Sequence, residues 1–128
     1  MRRHTTLLWA GSVLALASGT ASAQGNLGFL KDSPIAYFKG DDVKLMRAAA
    51  DEVLKSANNG TRKDWNNPAT GNGGAITLVT QFTAPDGRTC KQVRLDNRAK
   101  TMENTTIMSV CKNADGQWKA DAAKPPKT

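Results

Sequence analysis

The chain has 128 residues, a formal net charge of +7, 39% hydrophobic and only 5% aromatic residues, and a single histidine, His4. That length holds at most one compact domain, and a chain this small buries too little surface to be generously stable without a further constraint. One histidine, placed at the very start, excludes Ser-His-Asp and Cys-His mechanisms and histidine-based zinc sites from the body of the chain.

Residues 1–23 read as a cleaved signal peptide. Arg2 and Arg3 make a positive start, Leu7 to Ala17 is an apolar run, and Ala21-Ser22-Ala23 supplies the small-residue cleavage pattern. The run is well short of the roughly 20 residues a membrane span needs. No cysteine follows directly on the cleavage site to carry a lipid, so the exported mature chain is expected to be free rather than lipid-anchored, and it is expected to have no transmembrane span. Removing 23 residues leaves 105, and removing Arg2 and Arg3 from 18 basic residues leaves 16 against 11 acidic ones, a net charge of +5 with no histidine.

Residues 24–40 form a lead-in broken by Gly25, Gly28, Ser33, Pro34 and Gly40. Asp41 and Asp42 then offer helix-cap oxygens, and Val43 to Asn58 carries Val43, Met46, Ala50, Val53, Leu54 and Ala57 at three- and four-residue steps, the stripe of an amphipathic helix. Asn58-Asn59-Gly60 is a suitable end. Thr61 to Gly74 is dense in turn residues and reads as a loop. Short strands follow at Ala75 to Thr83, Thr89 to Leu95, Thr105 to Cys111 and Gln117 to Ala120, with turns at Pro85-Asp86-Gly87 and Asn113 to Gly116, a polar connection at 96–103, and a tail at 121–128. The expectation for residues 41–120 is an α+β domain: one N-terminal amphipathic helix packed on a four-stranded antiparallel β-meander, with one disulfide.

The disulfide follows from an even count of two cysteines in an exported chain, Cys90 and Cys111. A hairpin centred between Lys100 and Thr101 sets them opposite one another. A second hairpin, centred between Ala114 and Asp115, sets Cys111 opposite Trp118. Cys90 and Val93 fall on one face only if their strand carries a bulge.

The combination of Trp65, Asn67-Pro68, Thr70-Gly71, Gly87 with Cys90-Lys91, Cys111-Lys112, and Asp115-Gly116 with Trp118 resembles the C-terminal domain of the bacterial 17 kDa surface antigen family. The family pattern is a W-x-N-P-x-[ST]-G loop, a G-x-x-C-[RK] strand, and C-[RK]-x-x-D-G-x-W at the end. The resemblance runs from about Asp42 to Lys119. It implies an α+β antigen domain of the cell envelope or outer membrane with no established catalytic activity. The family's lipidated cysteine and Gly-rich hydrophobic repeat have no counterpart here, which sets a periplasmic location beside the outer membrane or cell surface. In structural terms Trp65 covers the end of the sheet, Asn67, Pro68 and Gly71 build a turn, Gly87, Asp115 and Gly116 make hairpin turns, and Trp118 packs on the disulfide.

No phosphate-binding glycine loop opens a helix, two cysteines are too few for a zinc site, and the neighbours Asp41-Asp42 and Asp51-Glu52 are a helix cap and a solvated helix face. No catalytic residue, metal ligand or cofactor is therefore expected. Two readings stand. One is a non-catalytic envelope domain with a structural or interaction role toward an unknown envelope component. The other is a basic module for an anionic polysaccharide or lipid such as lipopolysaccharide or peptidoglycan, with Arg62, Lys63, Arg94 and Arg98 as the anion-binding candidates. Nucleic acid is not expected, because aromatic residues to stack bases are scarce.

Overall fold

The computed structural model describes residues 33–127. The expected signal peptide and most of the lead-in lie outside the described residues. The described part opens with a 3-10 helix, Pro34–Tyr37, whose proline stands where the missing N–H has no helical partner to lose. Helix α1 follows at Gly40–Lys55, shifted toward the N-terminus from the expected Val43 to Asn58. At its start Asp42 is the third helical residue rather than the cap, and its carboxylate accepts the Lys39 backbone N–H at 2.7 Å, as in a capping box. At its end Ser56 is extended, with φ −72° and ψ 143°. The Ser56 hydroxyl accepts the Asn58 N–H at 3.0 Å and pairs with Thr61 Oγ1 at 2.6 Å, a local bonding pattern that competes with helix continuation.

Five strands come next: β1 (Arg62–Asn67), β2 (Asn72–Thr83), β3 (Thr89–Ala99), β4 (Met102–Lys112) and β5 (Trp118–Asp121). They form one antiparallel sheet in sequence order. The α+β class with one helix and an antiparallel meander therefore holds, with five strands in place of four. The additional strand is β1, which occupies the expected loop and pairs with β2 from Arg62↔Thr77 to Asn67↔Asn72. Half of its residues, Asp64, Asn66 and Asn67, are turn types, yet Trp65 and Asn67 are buried and alternate with exposed neighbours, and that one-sided burial keeps the segment extended. The expected polar connection at 96–103 is likewise strand. There β3 and β4 close on Ala99↔Met102 around Lys100 and Thr101, with Lys100 taking a φ of 56°.

Helix α1 covers one face of the sheet. Ala49 and Val53 pack on Trp65, Ile76, Leu78 and Val93, with Phe38, Met46, Ala50, Leu54, Leu95 and Met108 around them. Phe38 meets Trp65 edge-on with centroids 5.0 Å apart. Fully burying each large aliphatic side chain contributes roughly 1.5–3 kcal/mol, so this cluster is the main source of stability.

A bulge between Leu78 and Thr80 reverses the alternation of β2. The bulge thus lies in β2, not in the Cys90 strand, and Cys90 and Val93 occupy opposite faces. Cys90 sits opposite Cys111 and the two form the expected disulfide. It belongs to a second small cluster on the face away from α1, with Ala84, Phe82 and Ala123 of the C-terminal segment.

The last hairpin differs from expectation by one residue: Lys112 pairs with Trp118 and Cys111 with Lys119. Asn113 sets this longer turn, its Oδ1 accepting the N–H groups of Asp115 and Gln117 at 3.1 and 2.9 Å, while Gly116 supplies a φ of 77°. A one-residue shift turns a strand side chain to the other face. Trp118 therefore lies on the helix side and does not pack on the disulfide.

Candidate functional site

The motif between Trp65 and Asn72 is organised around Asp42, which has no exposed surface. Its Oδ1 accepts Asn67 Nδ2 at 2.8 Å and Thr70 Oγ1 at 2.7 Å; its Oδ2 accepts Asn72 Nδ2 at 2.9 Å and the Lys39 N–H at 2.7 Å. Burial pushes the Asp42 carboxyl up, but the four hydrogen bonds outweigh it and hold the pKa at about 2. In the same turn Asn67 Oδ1 accepts the Ala69 N–H at 3.1 Å and the Asn67 carbonyl accepts the Gly71 N–H at 2.8 Å, with Gly71 at φ 73°. Pro68 stands exposed at the start of that turn. Trp65 is a core residue of β1 rather than a lid on the sheet end, and its indole nitrogen lies against Gly74, where an added β-carbon would sit 3.0 Å from it and would clash with the Asp96 carbonyl oxygen. A carboxylate saturated by four donors and closed to solvent holds structure; it has no freedom to exchange a proton with a substrate.

Among the described residues the other buried ionisable group, Lys91, is equally committed. Its Nζ donates to the carbonyls of Leu54 and Ser56, both at 2.7 Å, where the end of α1 leaves oxygens without helical partners and favours positive charge. Burial, and secondarily Lys112, lowers its pKa. Trp118 lies beside this corner, its ring centroid 5.4 Å from Lys91 Nζ and 5.6 Å from Lys112 Nζ. Gly87, at φ 89°, closes the β2–β3 turn next to Arg88, which bridges Asp86 and Asp121 at 2.6 Å each. Asp115 is exposed in the β4–β5 turn.

The face of the sheet away from α1 carries the remaining chemistry. The register aligns Arg62, Thr77 and Arg94 in one row and Asp64, Ala75, Asp96 and Thr105 in the next, then Asn66, Gly73, Arg98 and Glu103. Small residues of β2 form the floor of a groove of about 530 Å³, with charged side chains of β1, β3 and β4 as its walls. Arg62 reaches Asp64 at 3.0 Å and Asp96 at 3.7 Å, and Arg94 Nε reaches Asp96 at 3.1 Å. The Thr105 hydroxyl donates to Asp96 at 2.6 Å. That bond first, then Arg94 and Arg62, holds the Asp96 carboxyl below its ordinary range against partial burial.

Of the four anion-binding candidates, Arg62, Arg94 and Arg98 share this face. Lys63 does not: it points to the helix side and pairs with Glu52 of α1 at 2.9 Å, which lowers the Glu52 pKa and raises its own. The groove was not legible as a unit, because its charges come from three strands and one of those strands, β1, reads as a loop. Asp42 was legible only as a helix cap; its three side-chain donors lie 25, 28 and 30 residues away.

Among the described residues no group of three His, Cys, Asp or Glu side chains is placed to hold a metal ion, and no helix is long and apolar enough to cross a membrane. Residues 52–119 match a family model described as the 17 kDa outer membrane surface antigen. The 17 kDa surface antigen of Rickettsia prowazekii (strain Madrid E) is 27% identical over 77 residues, covering 60% of this chain and 48% of that protein. The 17 kDa surface antigen of Rickettsia bellii (strain RML369-C) is 26% identical over the same length and coverage. The chain thus spans about half the length of the curated relatives it matches. No solved structure matches. With its tryptophan turn, its paired cysteines and its closing hairpin all inside or beside the matched segment, the chain belongs to the 17 kDa outer membrane surface antigen family.

Proposed function

We propose that this chain is an exported, non-catalytic domain of the cell envelope, with an interaction role exerted through the sheet face away from α1. The observation that carries the reading is the division of labour between the two faces. The two buried ionisable groups among the described residues, Asp42 and Lys91, lie on the helix side and are consumed by structural hydrogen bonds, whereas the charged groove lies on a face that no described helix covers. Membership of a family named for surface antigens supports an envelope location, at the outer membrane, the cell surface or in the periplasm. The alternative, a basic module for anionic polysaccharide or lipid, has less support: Asp64 and Asp96 already balance Arg62 and Arg94, and Lys63 is on the other side.

Fractionation of the native host with an antibody against residues 24–128 tests the reading. The protein is expected in the envelope or periplasmic fraction, lacking residues 1–23 by mass. A full-length chain in the cytosol would sink it.

A further inference from the structure

Among the described residues six charged side chains line the outer groove, and four of them neutralise one another: Arg62, Asp64, Arg94 and Asp96 form a connected ion-pair network. Arg98 and Glu103 remain. They are directly opposed in the β3–β4 register, the position in which opposite charges ordinarily meet, yet among the described residues neither has a partner of opposite charge within 4.0 Å. The reason is the direction of Arg98. Its guanidinium turns away from β4 and lies over β2, so that an added β-carbon at Gly73 would sit 2.6 Å from Arg98 Nη2, with Asn66 Oδ1 of β1 at 3.3 Å from the same point. Gly73 is what leaves room for this. The groove therefore has an unpaired positive charge above β2 and an unpaired negative charge rooted on β4, two strand spacings or about 10 Å away at the level of the backbone.

We propose that this groove binds a short zwitterionic peptide, its free carboxylate on Arg98 and its free ammonium on Glu103. Charge complementarity selects the occupant. A polyanion would meet Glu103, Asp64 and Asp96 on the same walls, while a peptide with both termini free matches one charge at each end. Length selects it further: an extended tripeptide spans about 10 Å, and a groove of about 530 Å³ falls within the size range of small-ligand sites. The guanidinium presents a planar fork suited to a carboxylate. The proposal deepens the envelope reading by naming the chemistry of the partner. Because binding by the purified chain is independent of cellular location, failure here leaves that reading standing, and failure of fractionation leaves this one standing.

The test titrates 15N-labelled residues 24–128 with alanine peptides of two to five residues, with the N-acetylated and C-amidated tripeptides, and with heparin as a polyanion. Trialanine is expected to bind best and to move the amide signals of Gly73, Ala75, Arg98 and Glu103, with either blocked terminus weakening binding about tenfold. In Arg98→Gln the amidated and free tripeptides should bind alike; in Glu103→Gln the acetylated and free ones should. Both residues are exposed, and an unchanged thermal midpoint verifies that each variant folds. The blocked peptides test the idea on the unaltered chain in any case. Absence of residue-specific shifts at millimolar peptide, indifference to both blocking groups, or heparin binding that strengthens in Glu103→Gln while peptides do not bind would each overturn the proposal.

Discussion

A carboxylate removed from water persists as an anion only where donors replace its hydration, and at Asp42 the donors come from Lys39, Asn67, Thr70 and Asn72. This one residue joins the start of α1 to the β1–β2 turn. Its pKa is depressed in the folded protein from 3.8 to about 2. The unfolded chain therefore binds more protons between those values, and the stabilisation, fully present above about pH 5, disappears as the pH falls through 2. The loss amounts to about 2 kcal/mol. Urea unfolding at pH 6 and pH 2 should show at least that loss in the wild type, and Asp42→Asn should be destabilised by about 2 kcal/mol at pH 6 and lose about 2 kcal/mol less than the wild type between the two pH values. The residue types of the W-x-N-P-x-[ST]-G motif were legible as turn chemistry. Their common acceptor was not, because Lys39 is not a capping residue type and so hid the position of Asp42 in the helix.

At the level of elements, patterning located the helix, the disulfide and the β3–β4 hairpin, whose centre at Lys100 and Thr101 follows from the placement of Cys90 and Cys111. Strand β1 escaped because Asp64, Asn66 and Asn67 read as turn residues and mask its period of two, and β5 was misregistered by one residue because Asn113 organises a longer turn than the Asp-Gly pair suggests. Lys91 reads as one more surface charge in sequence; only the packing of β3 beneath the end of α1 makes it a cap. The disulfide closes a segment of 21 residues of sequence separation, worth about 3 kcal/mol in the chain-entropy model. Cys90→Ala with Cys111→Ala should lower the folding stability by about that amount. Strand β5, four residues long and paired only with Ser109 to Lys112 around Cys111, should show the largest rise in amide exchange. An unchanged urea midpoint would contradict the account of the disulfide.

Taken as a whole molecule, the domain spends one sheet face on folding and leaves the charged end of the other uncovered by any described helix. The net positive charge seen in the composition does not concentrate there: the groove holds Arg62, Arg94 and Arg98 against Asp64, Asp96 and Glu103, so overall basicity is a poor guide to its partner. Carboxyl footprinting of the native envelope fraction against the purified chain decides whether the outer face is the working surface. Asp64, Asp96 and Glu103 should lose reactivity in the envelope while Asp41, Asp51 and Glu52 on α1 keep theirs. Equal reactivity of the two sets in both samples, or protection confined to α1, would contradict it.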